Sequence, residues 1–191
     1  MSGSGDKTVK VWGFVRDSSR WRCERTLDAD ARVNCLAAWG GRVAGGLADG
    51  CIRVWDAETG APEQTLRGHA DSVAGLVVSG QRMISCSFDQ TLRAWSLETW
   101  ACVQILEAYS IASPQHISRL AVSGSTLVGG SKSSPLIETE EYEVRVWDLE
   151  TLQPLHTLRQ PAGEDVCSLA SEGGEVWGAV GSDVVVWGRR G

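Results

Sequence analysis

Residues 85–95, Ser-Cys-Ser-Phe-Asp-Gln-Thr-Leu-Arg-Ala-Trp, hold the end of one alternating segment, a tight polar turn, and a second alternating segment that stops on tryptophan. That ending recurs along the chain. It reads Val-Lys-Val-Trp12, Ile-Arg-Val-Trp55, Leu-Arg-Ala-Trp95, Val-Arg-Val-Trp147 and Val-Val-Val-Trp187, at intervals of 43, 40, 52 and 40 residues. Period-two alternation of apolar and polar residues marks strands with one face buried.

Two further registers lock onto the first. Val33-x-x-Leu36, Val73-x-x-Leu76, Ile117-x-x-Leu120 and Val166-x-x-Leu169 precede the later four tryptophans by 21, 22 or 30 residues. Leu27, Leu66, Leu106 and Leu158 close a short alternating segment after each of the first four. Each unit therefore holds about four short strands separated by Gly, Asp and Ser turns. A four-stranded unit of ~40 residues cannot bury both faces alone and must stack on its neighbours, as a propeller blade does.

Gly68-His69, the Ser85–Trp95 stretch, and the pairs Trp55-Asp56 and Trp147-Asp148 resemble the WD-repeat family along essentially the whole chain. The resemblance implies an all-β propeller, here partial, with three complete four-stranded blades and two incomplete ones. Approximate blade limits are 1–27 (partial), 28–67, 68–107, 108–160 and 161–191 (partial). It also implies a structural hydrogen-bond set in the best blade: His69, a strand serine (Ser85 or Ser87), the turn residue Asp89, and Trp95. A serine with His and Asp also suggests nucleophilic catalysis, but that needs a solvent-facing hydroxyl. The resemblance places this serine inside the blade.

Elsewhere the set thins. Asp49 and Trp55 are kept in the second blade, but Ala29 stands where histidine is expected. Asp6 and Trp12 are kept in the first, where Ser4–Thr8 runs straight into the third strand and no room is left for two earlier ones. Around Trp147 the turn grows by an insertion, 133–143, with Glu141 at the turn-aspartate position. The last unit stops soon after Trp187, so the chain looks cut at both ends. Residues 21–27 could instead close a ring by pairing with the Trp187 unit, and self-association through open blade edges is a further expectation.

Composition narrows the function classes. With 42% hydrophobic and 22% charged residues the chain suits a globular protein, and a net charge of −6 disfavours nonspecific nucleic-acid binding. Apolar runs such as Val184–Trp187 are strand-sized, far short of the ~20 residues of a membrane-spanning helix. The N-terminal residues lack a secretory signal's apolar stretch, so a cytoplasmic or nuclear protein is expected. The six cysteines lie singly in apolar segments and read as buried free thiols. Neither a metal site nor a cofactor is expected, and neither phosphate loops nor hydrolase elbows occur.

The expected function is a non-catalytic interaction scaffold or adaptor. The resemblance puts contacts on the face built by the turns between second and third strands and the loops entering each first strand. Phe88, just before the turn, is the leading candidate, with Arg32, Asn34 and Ser72 beside it. The insertion adds Leu136, Ile137, Glu138, Glu140 and Tyr142, an acidic loop with apolar anchors that suits a basic peptide. Short Ser-Gly turns resemble F-box/WD-repeat ligase adaptors, which makes a substrate-recruiting subunit of a ubiquitin-ligase or kinase complex the alternative. Phosphate readers of that group carry arginines just after the first-strand valine and just before the turn aspartate. This chain has Asn34, Ala74, Ser118 and Cys167 at the first position, and Gly5, Ala48 and Phe88 at the second. A truncated copy without a function of its own is the third reading.

Overall fold

The computed structural model describes residues 1–15, 19–107, 116–132, 141–161, 166–172, 175–180 and 183–187. Among these every regular element is a strand, and no helix is long and apolar enough to cross a membrane. The first sheet comprises β1 (Ser2–Gly3), β2 (Thr8–Val15) and β3 (Arg20–Asp28); the second β4 (Val33–Trp39), β5 (Arg42–Leu47), β6 (Ile52–Asp56) and β7 (Pro62–Leu66). The third holds β8 (Val73–Ser79), β9 (Arg82–Ser87), β10 (Thr91–Ser96) and β11 (Cys102–Glu107). The fourth holds β12 (His116–Ser123), β13 (Thr126–Lys132), β14 (Glu141–Asp148) and β15 (Pro154–Pro161); the fifth, β16 (Val166–Glu172), β17 (Glu175–Val180) and β18 (Asp183–Trp187). Each is an antiparallel meander in chain order, giving three complete four-stranded blades and two incomplete ones.

Two details differ from the sequence reading. A two-residue β1 pairs with β2, Ser2 opposite Lys10 and Gly3 opposite Val9, so a stub of the second strand is present. Residues 21–27 belong to β3, which pairs along the whole of β2, so they do not complete the Trp187 sheet. Val9 and Leu27 meet across that ladder and are buried together, which holds β3 there.

The cores lie between sheets. Alternation sends Leu92 and Ala94 toward Ile117, Leu127 and Trp147 of the fourth sheet. It sends Trp95 toward Ala44, Ile52 and Val54 of the second. Val9 and Leu27 join Val33, Val43 and Trp55 in the same manner. The first strands β4, β8, β12 and β16 run beside one another, which makes the stack an arc around the side they line.

The Trp-Asp pairs have a local purpose. Asp56 Oδ1 accepts the Thr59 N–H at 2.6 Å and the Thr59 hydroxyl at 2.7 Å. Asp148 does the same with Thr151 at 2.8 Å each. These Asx turns connect third strand to fourth, and the N–H bonds hold both carboxyls below their ordinary value.

Candidate protein-binding face

The site begins with a fault in register. Val33 pairs with Leu47 and Cys35 with Gly46, so Asn34 has no residue opposite it. The same step skips Ala74 in β8 and Ser118 in β12. A bulge of this kind re-aims the extra side chain out of the pleat. All three bulge residues border one cavity of about 620 Å³ at the ends of the first strands.

Backbone contacts between loops set the rest of the wall. The Phe88 N–H donates to the Ser72 carbonyl at 3.0 Å, and the Ala48 N–H to the Arg32 carbonyl at 2.9 Å. The Ser72 hydroxyl crosses between sheets to the Ala48 carbonyl at 2.9 Å. Phe88, Arg32, Asn34 and Ser72, chosen from sequence, thus border one cavity, with Phe88 40% exposed. Asn34 also braces the wall: its Nδ2 donates to the Val73 carbonyl of the next sheet at 3.1 Å.

The insertion candidates fare differently. Leu136, Ile137, Glu138 and Glu140 lie outside the described residues. Glu141 and Tyr142 are strand residues at the start of β14, opposite Pro161 and Gln160, so Glu141 is not a turn residue and Tyr142 is not a loop anchor. The run Glu-Tyr-Glu-Val-Arg-Val-Trp alternates, and that alternation carries the ladder past the expected turn. Glu143 in the same strand is buried and paired with Arg145 at 2.8 Å. Arg119, absent from the sequence-based candidates, borders the cavity because the bulge at Ser118 offsets it.

Under the Phe88 turn lies a closed polar chain. The Trp95 Nε1–H donates to Ser85 Oγ at 2.8 Å, and Ser85 Oγ lies 2.7 Å from His69 Nε2. His69 Nδ1 lies 2.8 Å from Asp89 Oδ2. The Ser85 hydroxyl also reaches the Arg93 carbonyl at 3.4 Å and His69 Nδ1 the Thr91 hydroxyl at 3.2 Å, so every buried polar group of the chain has a partner. Ser87 does separate work, donating to the Asp71 carbonyl at 2.8 Å and accepting the Asp89 N–H at 3.1 Å. Ser85 is 0% exposed and its hydroxyl is committed on both sides, so this trio presents no nucleophile.

Burial alone would raise the Asp89 carboxyl. Hydrogen bonds from His69, from the Thr91 hydroxyl and N–H, and from the Ala70 N–H outweigh it and hold the group well below the usual carboxylate range.

In the second sheet Asp49 still accepts the Cys51 N–H at 3.0 Å and Trp55 is buried, but Ala29 fills the histidine place and Gly45 lies against the Trp55 ring. Trp147 lies likewise against Gly129. Asp6 and Trp12 form no buried set. Trp12 is 39% exposed and its indole donates to Ser2 of the second-strand stub at 3.0 Å, as Trp95 does to Ser85, but Asp6 caps Thr8 and no histidine joins the two ends. The cysteines are free thiols among the described side chains, and burial pushes Cys35 up to about 12. No cluster of three or more potential metal ligands occurs among the described residues.

Stacked four-stranded meanders with a tryptophan-ended third strand define a β-propeller built from repeats. Residues 21–56 and 60–96 match the model of the WD domain, G-beta repeat. The chain belongs to the WD-repeat β-propeller family. It is 26% identical over 158 residues to Protein tipD of Dictyostelium discoideum, covering 82% of this chain and 24% of that protein. It is 30% identical over 102 residues to the Putative E3 ubiquitin-protein ligase LIN-1 of Lotus japonicus, covering 50% of this chain and 7% of that one. The chain thus spans a quarter or less of either relative. The crystal structure of the computationally designed Ika8 protein superposes with a TM-score of 0.76 at 28% identity, over 98% of this chain and 54% of that one.

Proposed function

We propose that this chain is a non-catalytic interaction scaffold that binds protein segments over the cavity beside Phe88. WD-repeat proteins act generally as platforms for other proteins, and the family fold supports that coarse statement. One observation carries the finer reading. Phe88, Arg32, Asn34 and Ser72, from two adjacent sheets, converge on one open cavity and are fixed there by backbone bonds and register bulges. A half-exposed aromatic on a rigid turn offers large contact area at little entropic cost.

Phe88→Ala tests it. The variant should lose most captured partners in affinity purification with quantitative mass spectrometry, while its unfolding free energy changes by no more than a surface substitution does, about 0.5 kcal/mol. Unchanged capture would move the binding face elsewhere. The name of the Lotus japonicus relative supports a second reading, a substrate-recruiting subunit. Ligase core subunits in the same purification would favour that reading, and a set without any catalytic partner would remove it.

A further inference from the structure

The cavity wall is drawn from two blades, and one hydroxyl joins them. Arg32, Asn34 and Ala48 belong to the second blade, Ser72 and Phe88 to the third. The Ser72 hydroxyl donates to the Ala48 carbonyl at 2.9 Å, so its proton spans the junction. The carbonyl of the same residue accepts the Phe88 N–H at 3.0 Å, and the Ala48 N–H donates to the Arg32 carbonyl at 2.9 Å. A path of hydrogen bonds thus runs from Arg32 through Ala48 and Ser72 to Phe88, and its side-chain link is Ser72. The two loops also touch directly. Gly50, at φ +81°, sits so close to the next blade that a Cβ there would lie 2.6 Å from the His69 carbonyl oxygen and 3.2 Å from that of Asp71. The residues at the place of Ser72 in the neighbouring repeats, just before Val33 and Ile117, are Arg32 and His116, and neither carries a hydroxyl.

We infer that Ser72 is the positioning residue of this face: its hydroxyl sets the Phe88 turn of the third blade against the Arg32 and Asn34 wall of the second, so that a partner is gripped by both blades at once. The inference rests on the reading of the cavity as the protein-binding face. The stack itself creates the need for such a link. Core packing joins these blades along their strands, where Trp95 meets Ala44, Ile52 and Val54, and Ala48, Ser72 and Phe88 lie outside that cluster. Contact at Gly50 keeps the loops adjacent, and the directional Ser72–Ala48 bond fixes their register. A neutral hydrogen bond suits this task, since it contributes too little to decide whether the blades fold and enough to decide where their loops rest. Without it the binding-competent arrangement is one of several, and apparent affinity falls by the fraction of molecules that hold it.

Two variants of one shape test it, because Ser72→Thr keeps the hydroxyl and Ser72→Val replaces it with a methyl group. Phe14 and Phe88 are the two phenylalanines of the chain, so labelling with 4-fluorophenylalanine gives two fluorine NMR signals, with Phe14 of β2 as the internal reference. Ser72→Thr should leave the Phe88 signal in place, and Ser72→Val should move or broaden it while the Phe14 signal stays. The binding probe is the protein most enriched by the tagged unmodified chain over Phe88→Ala. Ser72→Val should retain it roughly two- to tenfold less than Ser72→Thr, the factor to which one neutral hydrogen bond converts, with the denaturation midpoints of the two variants close together. A Phe88 signal that is the same in both variants overturns the inference. So does a moved signal with equal retention, which makes the bond structural only and leaves the binding face standing. If no protein is enriched over Phe88→Ala, the reading of the cavity falls, and the grip by two blades falls with it whatever the fluorine signals show.

Discussion

Ser85 joins two buried groups that have no other outlet in the third blade. Its Oγ receives the Trp95 indole N–H and meets His69 Nε2, at 2.8 and 2.7 Å. Ser85→Ala removes little volume but strands both. Each buried polar group left unpaired costs about 1–3 kcal/mol, so the variant should lose several times what one exposed hydroxyl contributes. Chemical denaturation with matched m-values checks this, and a loss below about 0.5 kcal/mol would mean that the chain is not closed through Ser85. Asp89 carries the pH dependence of the same chain. Its carboxyl titrates lower in the folded protein than in the unfolded chain, where the value is about 3.9. Its stabilisation is therefore complete above the unfolded value and is lost as pH falls toward the folded one. The melting-temperature gap between the unmodified chain and Asp89→Asn should be widest near neutrality and shrink below about pH 4. A gap constant down to about pH 2.5 would assign the loss in Asp89→Asn to packing and not to charge.

Strands are where the sequence is most legible. Period-two alternation and the recurring tryptophan mark β2, β6, β10, β14 and β18, and the Val-x-x-Leu register marks β4, β8, β12 and β16. A bulge is not legible that way, because it is a relation between two strands. Nothing in Ile117-Ser118-Arg119 alone says that Ser118 drops out of the ladder and Arg119 pairs with Gly130. That is why Phe88 and its neighbours could be chosen from sequence and Arg119 could not. The stub β1 was invisible for another reason, since Ser2-Gly3 has no apolar residue to alternate. Cross-strand complementarity is equally hidden. Cys35 faces Gly46 and Cys86 faces Gly75, and a Cβ on either glycine would lie within 2.8 Å of the thiol, so the single cysteines fill space that glycine leaves. Gly129 gives the same logic a test. The family pattern suits serine there, yet a Cβ would stand 2.9 Å from the Trp147 ring and 3.0 Å from Ile117. Gly129→Ala should destabilise by about 1–3 kcal/mol through overpacking, read from the denaturation midpoint; a stabilising change would show that the ring shifts freely.

At the scale of the molecule, stability is a property of neighbours, because each core cluster among the described residues lies between two sheets. Trp95, 2% exposed, packs with Ala44, Ile52 and Val54 of the second sheet and with Val73, Leu76 and Met83 of its own. Removing the ring creates a cavity at that one junction and costs about 3–5 kcal/mol. In a quasi-linear stack the loss falls on the repeats that share the junction and reaches the others only through their own interfaces. Trp95→Ala should therefore speed amide exchange in β4 to β11 more than in β2 and β3, whose ladder is anchored by Val9, Leu27 and Val33 in a separate cluster. Equal acceleration in all sheets would show instead that the arc opens as one unit, and that no blade holds its shape once one junction fails.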